Sequence, residues 1–360
     1  MEATDKCERL VQEGLDASVR LLRKNLRPEG ILAASPTPRA ESRNYTRVFG
    51  RDAAICVLGM VLSGDRELIE GAKQSLRSLA EHQAENGQIP KYIDPRHEDA
   101  DFWYVGCIDA TVWWLIGMHF LARHGEREFF ENHQRQIDKA LGWLHCQEHP
   151  RLHLLQQNEA SDWADIMPRS GFVLYTNALW YYVKVRYGRP HAEETKYHFN
   201  HLFFPFSRET PDYRRLRLLT DYVKDRVSSS DLYLSFVNFS FWGDEGDVFG
   251  NLLAVLFGLA EPGPAGRILT ALGAKMVNRP YPARAVCTPI RQSSPLWRTY
   301  MARHGQNLEY QYHNGGIWPF IGGFWVMALS RFGHPEGAEG DLVRLAELNR
   351  ARGWEFNEWF

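Results

Sequence analysis

Apolar residues recur at helical spacing along almost the whole of this chain, and that single property constrains its fold more than any other. Over residues 5–25, Cys7, Leu10, Val11, Leu15, Val19 and Leu22 fall on one stripe with charges opposite, the pattern of an amphipathic helix. Asp52 to Leu62 is apolar and ends at Ser63-Gly64. Leu68 to His82 repeats the pattern at Leu68, Ile69, Ala72, Leu76 and Leu79, then stops at Asn86-Gly87. The same spacing predicts helices at about 107–124, 127–146, 173–187, 209–226, 246–260, 263–275, 315–332 and 338–350, with Gly, Pro and polar loops between them. Val/Ile alternation is scarce, so strand content is expected to be low, with one extended piece at 232–241.

The connections alternate in length. Gly64-Asp65, Gly125-Glu126 and Gly333-His334-Pro335 are tight, whereas 26–51, 86–106, 150–171 and 276–314 are long and rich in Trp, Asp and Pro. Tight turns imply antiparallel helix pairs, and long loops imply segments gathered at one end of a molecule. About eleven helices in paired order fit an all-α toroid, although an α-solenoid or an irregular bundle gives the same local signal. No low-complexity run or Ser/Gly linker interrupts the pattern, so residues 1–360 are expected to form a single domain.

Composition excludes several partners. Lys and Arg total 42 against 44 Asp and Glu, a net charge of −2, which argues against a nucleic-acid partner. No apolar run reaches the ~18–20 residues of a membrane span, and the opening MEATDKCERLVQEGL lacks the basic and apolar regions of a signal peptide. Five cysteines, Cys7, Cys56, Cys107, Cys146 and Cys287, are odd in number and form no C-x-x-C. They read as buried thiols of a reducing compartment rather than a disulfide framework or zinc site. The expectation is a soluble cytoplasmic protein without metal or cofactor; no feature of the chain specifies an oligomeric state.

Four stretches are too polar and too aromatic to be plain connectors. The first, Tyr45–Asp52 (YTRVFGRD), leads into a helix. Asp52 there is favoured by the helix dipole, but Arg51 and Asp52 also pair a donor fork with an acceptor suited to a polyhydroxylated ligand. The second holds Asp101-Phe102-Trp103-Tyr104 and Asp109, the latter entering a very apolar helix. A carboxylate there must be capped, paired or facing a site. The third, Glu159–Gly171, puts Asp162, Trp163 and Asp165 just before Pro168-Arg169; a carboxyl beside Trp in a part-dry pocket has its neutral form favoured, as a general acid needs. The fourth joins Glu309–Pro319 to the C-terminal Trp354–Phe360, where Glu355 and Glu358 are interleaved with aromatics.

The chain holds 12 Trp, 15 Tyr and 20 Phe, and part of that load falls on these loops. Aromatic faces stack on sugar C–H surfaces, and two carboxyl groups can do acid/base work. No G-x-S-x-G, Walker A, dinucleotide Gly fingerprint or H-E-x-x-H is present, so acyl, phosphoryl and metal-peptidase chemistry lack a motif.

YTRVFGRD (45–52), the Asp-x-x-Pro-Arg of Asp165–Arg169, YHNGGIWP (312–319) and the terminal NEWF resemble, in this order, segments of (α/α)6-barrel glycoside hydrolases. The likeness is to the neutral/alkaline invertases and the amylo-α-1,6-glucosidase domain of glycogen debranching enzymes, the latter also through Asn177-Ala178-Leu179-Trp180. The resemblance implies an (α/α)6 toroid and an inverting hydrolase of an α-glucosidic bond, in sucrose or in an α-1,6- or other α-linked glucoside. It implies Asp165 as general acid and Glu358 as general base, with Asp162 and Glu355 as runners-up. Arg51 and Asp52 would bind hydroxyls of the cleaved sugar. Trp103, Asp109, Asp162, Trp163, Arg169, His313 and Trp318 would line the pocket. The family carries one more helix after its base, whereas this sequence ends two residues past Glu358. Two other readings stay open: a sugar epimerase or isomerase on the same toroid, and a non-catalytic carbohydrate-binding protein.

Overall fold

A computed structural model describes residues 2–96, 99–102, 107–206, 211–227 and 230–360. Its contacts cluster into two units. One comprises Leu15–Glu148 with Ser161–Trp163; the other comprises Met1–Gly14, His149–Ala160 and Ala164–Phe360.

The first unit contains α1 (Glu2–Asn25) from Leu15 onward, α2 (Gly50–Leu62), α3 (Arg66–Glu81), α4 (Ile108–Arg123) and α5 (Gln134–Gln147). Helix α2 packs against both α3 and α4. The tight Ser63-Gly64 turn makes α2 and α3 the expected pair, and Asp65 caps α3 by accepting from the Glu67 and Leu68 amides, a stop-and-start signal worth about 1 kcal/mol. Every residue of α4 from Ile108 to Met118 is buried, the mark of a helix that is apolar all round. Strands β1 (Val48–Phe49), β2 (Tyr92–Asp94) and β3 (Asp99–Asp101) form an antiparallel sheet in that order and deliver the chain to the start of α2.

The second unit contains α6 (Leu174–Arg186), α7 (Ala192–Phe203), α8 (Arg214–Lys224), α9 (Val248–Leu256), α10 (Pro262–Ala274), α11 (Pro319–Arg331) and α12 (Pro335–Asn349). Helix α9, buried at every residue, packs on α6, α10 and α11, and α11 packs on α12 across the tight Gly333 turn. Pro262, Pro319 and Pro335 stand at helix starts, where the missing N–H costs nothing. Strands β4 (Phe172–Val173), β5 (Phe236–Val237) and β6 (Trp242–Gly243) form a second antiparallel sheet, so the extended piece at 232–241 is real, though only part of it pairs.

Four sequence expectations are corrected. The helix at 127–146 is two helices, Arg127–Asn132 and α5, broken at His133. There the imidazole Nδ1 lies 2.7 Å from the Phe129 carbonyl oxygen, competing for the i−4 acceptor. Helix α7 was not expected, because its first half is polar and follows Gly188-Arg189-Pro190. Burial of Phe199, Leu202 and Phe203, with the buried Lys184 ammonium donating to Thr195 Oγ1 at 3.0 Å, holds it instead. On α1 the buried side turns toward Leu10, Gly14 and Ala17, leaving Cys7 exposed and Leu15 56% exposed. The cysteines are not uniformly buried either: Cys146 is exposed like Cys7, and only Cys107 is fully buried.

No helix among the described residues is long and apolar enough to cross a membrane. Among the same residues no group of His, Cys, Asp and Glu has metal-binding geometry.

Histidines surround α7. The His153 and His191 rings stack at 4.1 Å. Burial first, then the neighbouring His153, His201 and His149, push His198 from 6.5 down to about 4 against the pull of Glu194. The unfolded chain therefore takes this proton first, and the contribution to stability is full above pH 6.5 and lost as pH falls toward 4. His198→Gln should flatten the fall of Tm between pH 7 and 4.5. An unchanged Tm–pH profile would show that His198 does not contribute to it.

Candidate active site

In the first unit, the start of α2 is built around Gly50. Its amide donates to the Lys91 carbonyl at 2.8 Å, and a Cβ on it would lie 2.7 Å from the Pro90 oxygen and 3.0 Å from the Ala110 Cβ. Only glycine allows the N-termini of α2 and α4 to approach this closely. The approach brings Arg51 Nη1 within 3.3 Å of Asp109 Oδ2, and Arg51 Nη2 within 3.2 Å of Asp52 Oδ2. Asp109 is fully buried in the first turn of α4, with the guanidinium as its partner. Of the three roles open to Asp109 in the sequence, pairing is present. Alongside, Arg47 pairs with Asp94 at 3.0 Å and lies over the Tyr92 ring.

The Cys107 and Ile108 amides, the former at φ 82°, both donate to the Ser161 carbonyl at 3.1 and 3.2 Å. This double bond pins Ser161–Trp163 to the N-terminal end of α4, with Asp162 and Trp163 buried there. Arg51, Asp52, Asp109, Asp162 and Trp163 thus belong to one end of the α2–α4 pair. Trp103 lies outside the described residues.

In the second unit, two asparagines organise the remaining residues. Asn307 Nδ2 donates to the Ile166 carbonyl at 2.8 Å, and Asn307 Oδ1 accepts from the Asn314 amide at 2.9 Å. Asn314 in turn exchanges bonds with both backbone groups of Ile290, at 2.7 and 2.9 Å. The Asp165–Arg169 loop is thereby tied to the YHNGG turn, and His313 Nδ1 comes to 3.9 Å from Asp165 Oδ1. His313 is buried, its ring stacked on Trp318 at 5.0 Å and 15° and flanked by Tyr312 at 4.0 Å. Trp318 Nε1 donates to the Tyr312 carbonyl at 2.9 Å. Asp165 remains 40% exposed.

The C-terminal segment docks on the same turn. Phe360 and Ile317 exchange both amide–carbonyl bonds at 2.9 Å, as an antiparallel pair does. The Trp359 ring lies 5.8 Å from Tyr312 and covers Gly316, where a Cβ would approach it to 3.0 Å. Glu358, immediately before that anchor, is exposed, as is Glu355. Asp165, His313, Trp318 and the segment bearing Glu358 are therefore parts of one packed assembly.

Arg169 has a different setting from the rest. It is buried, with Nε 3.4 Å from Glu245 Oε1 and Nη2 3.3 Å from Asp247 Oδ1, both carboxylates being buried too. It fastens the Asp165 loop to the start of α9. Glu245 and Asp247 were not singled out from the sequence; the run Asp244-Glu245-Gly246-Asp247 before an all-apolar helix was the available signal, and it resembles an ordinary capping segment. Asn307 gave less signal still, whereas Asn314 stood within the YHNGGIWP motif. A cleft lined by Asn278, Arg279, Trp325, Asp341 and Arg344 lies further along α11, Trp325 being seven residues, or about 10 Å, beyond Trp318.

No protein-family model and no curated protein matches the chain in sequence. Solved structures do match it in fold. A GH63 mannosylglycerate hydrolase from Thermus thermophilus, in complex with Tris and D-glycerate, is 14% identical at a TM-score of 0.65, over 96% of this chain and 94% of that one. The same enzyme in complex with glucose is 14% identical at a TM-score of 0.64, over 96% and 93%. A glycosidase variant in complex with glucose is 16% identical at a TM-score of 0.60, over 97% and 86%. These are glycoside hydrolases of (α/α)6 fold, and the chain has that all-α fold.

Proposed function

We propose that this protein is an inverting glycoside hydrolase that cleaves an α-glucosidic bond, with Asp165 as general acid and Glu358 as general base. The observation that carries the reading is the His313–Trp318–Tyr312 ring cluster, with the Asp165 carboxyl 3.9 Å from His313 and the Trp359 ring of the docked C-terminal segment 5.8 Å from Tyr312. An acid must reach the glycosidic oxygen, and the part-exposed Asp165 is better suited to that than Asp162, which is 1% exposed. A base must reach water, which favours an exposed carboxylate on an anchored backbone. His313 and Trp318, both buried and stacked on each other, form the packed floor beside which the Asp165 carboxyl stands.

In the first unit, the Arg51–Asp52–Asp109 network holds donors and acceptors in fixed positions, as hydroxyl recognition requires. The motif likeness to invertases and amylo-α-1,6-glucosidases sets the substrate range as sucrose and α-1,6- or other α-linked glucosides, and glucose in the similar structures is in keeping with a glucosyl unit. Hydrolysis by two carboxyl groups needs no cofactor. Inversion needs the pair roughly 6.5–9.5 Å apart, with water between the base and the anomeric carbon.

The test is to incubate the protein with sucrose, isomaltose, maltose and a branched dextrin and to follow the anomer released by NMR. Initial release of β-glucose is expected. Initial release of α-glucose would rule out inversion, and no turnover of any of the four or of α-glucosyl fluoride would remove the hydrolase reading.

A further inference from the structure

The turn between β5 and β6 presents a phenylalanine that neither turn chemistry nor burial calls for. Strand β4 begins directly after Gly171, and β5 runs antiparallel to it and ends at Val237. The turn 238–241 therefore lies at the same end of the sheet as the Asp165 loop. It is pinned there: Asn238 Nδ2 donates to Ser170 Oγ at 3.0 Å, and Gly171, at φ 75°, lies so close that a Cβ would be 2.7 Å from that of Asn238. The turn is also internally braced, because Asn238 Oδ1 accepts from the Ser240 and Phe241 amides at 2.8 and 2.7 Å. Phe239 at its tip is 93% exposed.

The neighbouring side chains extend the same rim. The Arg298 guanidinium covers the Phe241 ring at 5.0 Å and pairs with Glu159 at 3.3 Å, and Tyr300 donates its hydroxyl to Glu159 at 2.7 Å. A general acid protonates the departing oxygen, so the groups flanking the acid's loop face the leaving group. An exposed ring on a braced turn beside that loop has the form of a stacking platform for a sugar, and the Arg298–Glu159–Tyr300 network provides polar partners for its hydroxyls.

We propose that Phe239 is the stacking platform of a leaving-group subsite, so that this hydrolase prefers a substrate whose departing part is itself a sugar ring over one with a small leaving group. The inference rests on the assignment of Asp165 as the acid. The experiment compares kcat/KM for sucrose, isomaltose and isomaltotriose with kcat/KM for α-glucosyl fluoride, whose leaving group is a single atom.

In Phe239→Ala the ratio of glycan to fluoride should fall roughly three- to tenfold, the range of one aromatic contact, and Phe239→Trp should restore it. A ratio unchanged by Phe239→Ala would overturn the inference. So would a wild-type protein that hydrolyses the fluoride but none of the three glycans, which would leave the hydrolase reading intact. Absence of hydrolysis of the fluoride and of all three glycans would instead remove the hydrolase reading and the subsite with it. A side chain this exposed can be truncated without opening a core cavity, and a matching circular dichroism melt verifies that.

Discussion

Replacing Asp165 by asparagine should lower kcat on an unactivated α-glucoside by about 10²–10⁴-fold, the usual contribution of a positioned acid, while lowering it far less on α-glucosyl fluoride. The contrast follows from what the acid does. A sugar alkoxide is a poor leaving group and needs a proton as the bond breaks, whereas fluoride departs without one. Glu358→Gln should behave differently, costing a comparable factor on both substrates, because water must be activated whichever group leaves. Melting temperatures close to wild type are expected for both, since each side chain is open to solvent. Wild-type turnover of Asp165→Asn on the glucoside would refute its role. An equal loss on glucoside and fluoride would point to a positioning defect instead of lost proton transfer. If Glu358→Gln kept activity while Glu355→Gln lost it, the base would be reassigned to the neighbouring acid.

Arg169→Met should be among the most destabilising single changes in the second unit. The guanidinium is 1% exposed and lies between Glu245 and Asp247, which are 3% and 0% exposed at their side chains. Its removal leaves two carboxylates buried with their main counter-charge gone, for which losses of about 3–5 kcal/mol are usual. One carboxyl would then be expected to take up a proton on folding. The cost should appear as a Tm lowered by several degrees, more so at pH 8 than at pH 5, where that proton is more easily supplied.

Adding Glu245→Gln and Asp247→Asn to Arg169→Met should recover much of the loss, because the three groups form one coupled cluster and their effects are not additive. Activity should not return with stability, since Arg169 also sets the path of the loop that carries Asp165. A single variant as stable as wild type, or a triple variant less stable than the single one, would overturn this account.

Local pattern made most of the helices legible. The buried stripe of α3 and the all-round burial of α4 and α9 follow from apolar spacing that a helix reads within one or two turns. Where the spacing was weak, at α7, or equivocal, on the two sides of α1, packing made the choice. Gly14 is buried on α1 because the Trp354 ring lies against it, with a Cβ there meeting the ring at 3.2 Å. No window of twenty residues contains that information.

The candidate site divides along the same line. Polar-aromatic composition in the sequence singled out the loops that carry Asp165, His313, Trp318 and the terminal Glu358, and the resemblance of their motifs to a known family proposed these residues as one set. The sequence also placed Arg51 and Asp52 at a helix mouth, where α2 begins. The tertiary structure alone decided the partners: Arg51 with Asp109 across 58 positions, Asn307 with Ile166 across 141, and Arg169 with two acids beyond β6. It also separated the open carboxyl of Asp165 from the buried one of Asp162 three residues away. The physical reason is range. Periodicity and turn chemistry act between residues a few positions apart, whereas burial and ion pairing depend on which distant segments close packing brings together.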